Sequence, residues 1–537
     1  MKSTESSSEE KTSSLIVNPN KIGHYLEKHE FPLWVALNHH KTHTNKQMTL
    51  KKHYYLKDIL TDKARHRVYK KSTQGGVSEC LIVISWSAAM RGQVVFYVLP
   101  THQLMERFVS NRFEKSMMFS PYYREQRSAG RSKDLGKAML DNRALKDIGQ
   151  GVINFAGSGS DAPFVEIPAD WLIVDEADNC DPKRLEMGKE RLGHSSDPHE
   201  IYVGNPTFVG SFLDSKYEES TKSAWNVHAP CGHWIQIDFF KHVVERIDES
   251  LFVIRDKDFS IESGNDVRAI CDICGKPFDR FGMGDYVDEK KSHISGKHIS
   301  RLFSGATPLI DLVSNFSKGL TNDYKMQRFY NSDLGESFTS EGAKITAQSL
   351  DECICDYVMP ESSKGPCVAG IDVGSLLHTH ICEVLNDGNL KTVFLGEVEG
   401  GYEEIIALFR VYHVSFFVID SMPETRLSRK LVHNWRGCDC NVNATTKEFS
   451  FNKETMTVSQ IRTSFLDNVK EHVLLKKFML PKNIRSFPNY YDQMTSSVRV
   501  YDEDKERFNW EHGTLADHYM FATGYMLLAK RLFMMAN

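Results

Sequence analysis

No apolar run in the sequence approaches the roughly 20 residues that a bilayer-spanning helix needs, so no membrane partner is expected. The first residues, Met1–Lys11, are rich in Ser and Glu and lack the apolar stretch of a signal peptide. Residues 1–18 have too few apolar side chains to bury and are expected to form a disordered tail. There is no large charge excess. A net charge of -5 argues against a bulk electrostatic grip on nucleic acid. It leaves local basic paths open: Lys63–Arg67 with Lys70 and Lys71, and Arg124–Lys137, each of which also reads as a solvated face. The 11 cysteines follow no regular framework, so most are expected to be reduced residues of a cytosolic protein. No internal repeat is visible. With 41% hydrophobic and 26% charged residues over 537 positions, the chain is globular in composition and long enough for about three domains.

From about 66 to 210, short apolar runs alternate with amphipathic segments. The runs are His66–Tyr69, Gln93–Leu99, Gly151–Phe155, Trp171–Val174 and Glu200–Val203, rich in β-branched and aromatic residues. This alternation predicts an α/β domain with a mainly parallel sheet. After the first run comes Lys71-Ser72-Thr73-Gln74-Gly75-Gly76-Val77-Ser78, then a helical pattern. Strand, Gly-rich turn and helix form a phosphate-loop layout, in which backbone N–H groups cradle phosphates and Ser78 ligates Mg²⁺. The lysine that usually precedes that serine is missing, and Val77 stands there. Lys71 could supply the charge from the start of the loop, and an ordinary Gly-Gly turn is the competing reading. Leu172-Ile-Val-Asp-Glu176 carries a strand out of the core into Asp175, suited to the Mg²⁺ shell, and Glu176, suited to activating water. At the next strand end, Asn205 or Thr207 could sense the γ-phosphate. Arg124, Arg127 and Arg131 are arginine-finger candidates by position only.

The last third holds three carboxylates of interest. Asp372 sits in the apolar strand Val368–Gly374, Asp420 closes Phe416–Asp420, and Asp517 opens the amphipathic helix Leu515–Leu528. Carboxylates converging from two strands and a late helix suit two Mg²⁺ or Mn²⁺ ions, as in a two-metal nuclease. A strand-terminal Asp is also a common turn former. His518 is expected on another helical face, as an outer group at most. Between the halves, Cys231-Gly-His233 and Cys271-Asp-Ile-Cys274-Gly275 have the spacing of a structural zinc site, with Trp234 where a second cysteine of the first pair would stand. A reduced turn without metal is the alternative. The polar stretch Asp356–Pro366 suits a linker.

This order of motifs resembles the large terminase subunit of tailed bacteriophages, in its lambda-like branch, over about residues 30–530. Lys71–Ser78 looks like that branch's deviant phosphate loop, Asp175-Glu176 like its Walker B pair, and Gly204–Thr207 falls where its coupling motif lies. Phe329–Gly335 is similar to a family segment between ATPase and nuclease. The resemblance implies an N-terminal RecA/ASCE-type P-loop ATPase domain (19–230), a small zinc-knuckle insertion and connecting segment (231–355), and a C-terminal RNase H-like nuclease domain (367–537). It implies ATP, Mg²⁺ or Mn²⁺, and structural Zn²⁺ as cofactors. It also implies a motor that pumps double-stranded DNA into a procapsid through the portal and cuts concatemers. The implied partners are the portal protein, a small terminase subunit and further copies in a ring, in the host cytoplasm. Three other readings compete. Asp175-Glu-Ala-Asp178 also spells a DEAD-box helicase signature, which requires a second RecA-like domain. A prophage-derived remnant that binds DNA or portal without turnover would explain Val77. A host recombination nuclease with a fused ATPase is the third.

Overall fold

A computed structural model describes residues 19–129, 142–247, 251–260, 262, 264–305, 307–340, 342–399, 401–442, 448–502, 507–513 and 515–536. The expected N-terminal tail lies outside the described residues. Two compact units emerge. One comprises residues up to Pro206 with Lys216–Ser317 and Phe329–Glu336; the other comprises Thr207–Ser215, Lys318–Arg328 and the chain from Ser337 on.

The first unit is built on a seven-stranded sheet. Strands His66–Lys71, Val94–Leu99, Gly151–Gly157, Trp171–Asp175 and His199–Gly204 run parallel. Leu145–Ile148 closes one edge antiparallel. The central strands are buried almost continuously, as a sheet covered on both faces requires. The helix Val77–Met90, apolar nearly all round, is buried over most of its length. The other edge departs from expectation. It is Ile294–Ile299, parallel to His66–Lys71, from the segment assigned above to the zinc knuckle and connection. Ile-Ser-Gly-Lys-His-Ile lacks a strand pattern because tertiary contacts satisfy its polar side chains. Lys297 pairs with Asp62, and His298 bonds the Leu334 carbonyl. Gly296 leaves room for Ser220.

The second unit holds a nine-stranded sheet. Cys367–Val373, Leu377–Val384 and Leu390–Val398 form an antiparallel meander. Val414–Asp420 then adds parallel to the first of these, and Gly437–Asn441 parallel to it in turn. Three antiparallel strands followed by parallel additions through helices are the RNase H-like arrangement. Alternation along a strand sorts its side chains between two faces. Ala369, Ile371 and Val373 join one core with Ile405, Phe409 and Ile419. Val368, Phe416, Val418 and Cys382 join the other with Met520, Tyr525 and Met526 of the C-terminal helix His518–Ala536. That helix sits directly on the sheet at Gly370, where a Cβ would lie 2.1 Å from the Ala522 carbonyl oxygen and the Met526 nitrogen. By the same parity, Asp372, His378, His380 and Asp420 face the helix.

His380 shows what that burial does. It is fully buried between the hydroxyls of Thr523 and Thr392, at 2.9 and 3.0 Å. Burial lowers its pKa to about 3. Its neutral form therefore stabilises the fold above the unfolded pKa of about 6.5. As pH falls from there toward 3, the unfolded chain binds a proton that the folded chain refuses. Stability then drops by about 1.4 kcal/mol per pH unit from this group. Denaturant midpoints measured between pH 7 and 4 should fall less steeply in His380→Gln than in wild type; equal slopes would refute this.

Candidate active sites

In the first unit, the strand His66–Lys71 delivers alternate side chains to opposite faces. Lys70 lies over the Tyr217 ring, 4.8 Å from its centroid. Lys71 reaches the other way, its Nζ 2.7 Å from Glu176 Oε1. The loop turns through Gln74 and Gly76, at φ 61° and 77°. It enters the helix at Val77, which is buried in the core. A lysine at Val77 would point into apolar packing, so the loop's cation comes from its start. The Tyr55 hydroxyl donates to the Gly75 carbonyl at 2.9 Å. Ser72 donates its N–H to the Ile299 carbonyl at 2.7 Å, and its hydroxyl is buried without a partner.

The strand Trp171–Asp175 brings its acids to the same place. Ser78 Oγ and the Tyr97 hydroxyl both donate to Asp175 Oδ2, at 2.9 and 3.1 Å. Asp175 Oδ1 is buried and has no partner. A buried carboxylate oxygen left unsatisfied beside a serine hydroxyl fits a hard cation such as Mg²⁺. Glu176 holds a left-handed backbone, φ 59° and ψ 51°, which aims its carboxylate at Lys71 and at the Asn205 N–H, 3.4 Å away. Burial raises the Asp175 pKa, with Lys71 opposing. For Glu176 burial also pushes upward, but the Lys71 ammonium outweighs it and the pKa falls. Lys71 is the mirror case: burial pushes down, and Glu176 and Asp175 hold it up. Asn205 Oδ1 is a further buried, unpartnered oxygen. Thr207, expected beside Asn205, falls in the second unit, where its carbonyl accepts the Phe338 N–H.

Three further neighbours complete this site: Arg112, which no motif marked, and Ser332 and Gly335 from the segment Phe329–Gly335 noted above. Arg112 is exposed on a π-helical turn, Val109–Phe113, and acts electrostatically on both Lys71 and Glu176. Ser332 accepts both the N–H and the hydroxyl of Thr73, at 3.0 and 3.1 Å. Gly335, at φ 73°, lies so close that a Cβ would be 2.6 Å from the Ser72 nitrogen. Of the arginines named from sequence, Arg124 lies on the helix Pro121–Ala129. The Arg127 side chain and Arg131 lie outside the described residues.

In the second unit, Asp372 follows Ile371, and Ile371 pairs with Ile419 in the parallel neighbour. Asp372 and Asp420 therefore occupy adjacent positions on adjacent strands. Asp420 accepts the Met422 N–H at 3.1 Å. Its pKa is pushed up to about 6, mainly by burial and further by Asp372. Burial likewise raises Asp372, and Asp517 adds to it. Asp372 thus acts on Asp420, and Asp517 on Asp372. The helix begins at His518 rather than before Asp517, because the Asp517 carbonyl accepts the N–H groups of Met520 and Phe521. The Asp517 carboxylate meets Ser497 Oγ at 2.9 Å and Arg462 at 3.6 Å. His518, expected on another face, is the residue that reaches inward: its Nδ1 lies 2.8 Å from Asp372 Oδ2. That contact raises the His518 pKa. Ligand atoms of Asp372, His518 and His378 lie within 4.8 Å of one another; Asp420 and Asp517 are not in that group.

Residues 55–281 match the family described as phage terminase large subunit gpA, ATPase domain. That span contains the whole first site. The large terminase of bacteriophage HK97 shares the fold across both units, with TM-score 0.53 over 92% of this chain and 98% of that chain, at 10% identity. Residues 55–281 are thus a phage terminase large subunit ATPase domain by family, and both units share the large terminase fold. Two looser likenesses carry no weight by themselves. A large terminase from a thermophilic bacteriophage has TM-score 0.30 and 11% identity, over 88% of this chain and 94% of that chain. The large terminase nuclease of thermophilic phage G20c has TM-score 0.27 and 10% identity, over 34% of this chain and 95% of that chain. No curated protein matches the chain.

The cysteine cluster falls inside the terminase ATPase span. Gly275 at φ 68° closes the Cys271–Cys274 turn, with Gly275 N–H to Cys271 O at 2.9 Å. Ligand atoms of Cys231, Cys271 and Cys274 gather within 4.8 Å. Cys231 Sγ stands 3.7 Å from Cys271 Sγ, close to the ~3.8 Å edge of a tetrahedron with metal–sulfur bonds of about 2.3 Å. His233 Nδ1 is 3.4 Å from Cys231 Sγ, but His233 is not in the three-cysteine group. The residues fit a zinc ion with three thiolates, and His233 is the near candidate for a fourth ligand. Among the described residues, no helix is long and apolar enough to cross a membrane.

Proposed function

We propose that the chain is the motor and nuclease subunit of a phage DNA-packaging machine. ATP hydrolysis in the first unit would drive double-stranded DNA into a procapsid, and divalent-metal-dependent cutting in the second would free the ends. One observation carries this reading: a phosphate-loop constellation and a carboxylate-bearing RNase H-like strand pair occur in one chain whose residues 55–281 match the terminase ATPase family.

The loop Gln74–Ser78 would bind the triphosphate through backbone N–H groups, with Lys71 neutralising charge. Ser78 and Asp175 would hold the Mg²⁺. Glu176 would take the proton of the attacking water at a carboxylate oxygen. The Lys71–Glu176 pair adds a condition. Phosphate oxygens arriving at Lys71 compete with Glu176 for it and free that carboxylate to act as base. Asn205 lies beside Glu176 at the last residues before the chain passes, at Thr207, into the second unit. That position suits coupling of hydrolysis to movement. In the second unit, Asp372 and Asp420 would hold the divalent ions with Asp517 nearby. Bound ions would activate water and stabilise the leaving 3′ oxygen. The portal, a small terminase subunit and further copies in a ring would complete the machine in the host cytoplasm.

The helicase reading is not favoured, since the second unit is RNase H-like rather than RecA-like. Val77 gives little support to an inactive remnant, because Lys71 occupies the site from the loop's start. The direct test is activity of the purified chain: ATP hydrolysis with Mg²⁺, and plasmid cleavage with Mg²⁺ or Mn²⁺. Absence of both would refute the proposal.

The cysteine cluster would bind structural zinc. Elemental analysis of protein purified without chelator should give about one zinc per chain. Cys271→Ser should remove it and lower folding yield before altering the turnover of what folds. A zinc-free protein would contradict the assignment.

A further inference from the structure

Two histidines on the helix-facing side of the second unit had no place in the acidic triad. His378 is the direct cross-strand partner of Asp372 in the antiparallel pair. It is 5% exposed, and its ring stacks on His518 with centroids 4.5 Å apart and planes 21° apart. Its two nitrogens have different surroundings. Nε2 faces Glu397 Oε1 at 3.4 Å, and Glu397 is its cross-strand partner on the opposite side. Nδ1 is buried and makes no hydrogen bond of good geometry; the Leu376 backbone offers it a weak contact only. A buried imidazole with one nitrogen directed at a carboxylate and the other left bare is the usual state of a metal-ligating histidine. The carboxylate fixes the tautomer and turns the bare nitrogen to the ion. A purely structural histidine would leave that nitrogen desolvated and poorly satisfied, which destabilises the fold.

We infer that His378 is a direct ligand of a divalent ion shared with Asp372 and His518, and that Glu397 positions its ring. This rests on the nuclease reading of Asp372 and extends it to residues outside the carboxylate triad. Three successive strands supply the parts: Asp372 on the first, His378 on the second and Glu397 on the third. The C-terminal helix adds His518 from above. Two imidazole nitrogens and one carboxylate oxygen suit a first-row transition ion better than Mg²⁺, which demands oxygen ligands in near-ideal octahedral geometry. This position in the site is therefore selective for such ions, while Asp420 offers oxygen only.

The test is Mn²⁺ binding to the full chain, dialysed free of Mg²⁺ and Mn²⁺ with its zinc retained and without nucleotide, read from the electron paramagnetic resonance signal of free Mn²⁺. Wild type should show a site that Asp372→Ala removes. His378→Ala should weaken that site by about 100-fold, and Glu397→Gln by about 10-fold, the scale of a lost outer-shell partner. Mg²⁺ should compete better against Mn²⁺ in His378→Ala than in wild type. Should His378→Ala fail to fold, His378→Asn fills the space and gives the same readout. Wild-type Mn²⁺ affinity in either folded His378 variant, with binding lost in Asp372→Ala, would overturn the His378 assignment and leave the nuclease reading intact. Binding and plasmid cleavage both retained in Asp372→Ala would overturn the two together.

Discussion

Glu176→Gln is expected to bind ATP at least as tightly as wild type and to turn it over roughly 100-fold more slowly or worse, the scale of a lost general base. The shape and left-handed backbone of the site are kept, because Gln fills the same space. The carboxylate that accepts the water's proton is gone. So is the partner that holds Lys71 at 2.7 Å, which leaves the ammonium free for phosphate. Lys71→Ala should behave oppositely, losing nucleotide affinity and turnover together. It strips the cation from the buried Asp175 and the half-exposed Glu176 as well as from the nucleotide. Lys70→Ala, whose ammonium sits over Tyr217, should change either quantity by less than about 3-fold, within ~0.7 kcal/mol. Fluorescent-nucleotide binding and phosphate release on the three variants separate these outcomes. Near-normal turnover in Glu176→Gln, or an essential Lys70, would mean that the loop is read in the wrong register.

Asp372→Ala is expected to abolish metal-dependent DNA cutting, at least 100-fold, while ATP hydrolysis stays within about 2-fold. Asp372 is the point where the second site meets: it adjoins Asp420 across the parallel pair, bonds His518 and opposes His378. Asp420→Ala should be nearly as severe. Asp517→Asn should cost less, because that carboxylate is engaged with Ser497 and Arg462. Plasmid cleavage and ATPase on the same preparations check this. Cleavage retained in Asp372→Ala would place the nuclease centre elsewhere, and joint loss of both activities would indicate misfolding.

What sequence could and could not reveal follows from which interactions are local. The strands ending at Asp175 and Asp420 are apolar runs closed by a charged residue, and run and ending are both local. Asp372 was legible for the same reason, as a carboxylate inside a run otherwise destined for the core. His378 and Glu397 were not. Each matters only because an antiparallel register sets it opposite a particular partner, and register is a tertiary fact. Ile294–Ile299 was missed because its polar residues are satisfied by Asp62 and the Leu334 carbonyl, far away in sequence. Gly335 gave no sign of lying against Ser72. The contact of His518 with Asp372 went unread because the last helix starts one residue later than expected, the kind of boundary that local pattern fixes least well.

The most direct test of the whole account is ATP-driven DNA packaging in vitro, with purified procapsids, portal and linear duplex DNA, scored by protection from added nuclease. Wild type and Asp372→Ala should both protect DNA, because linear substrate needs the motor and not the cut; Glu176→Gln should protect none. Protected DNA with Glu176→Gln, or none with an Asp372→Ala protein whose ATPase is normal, would contradict it.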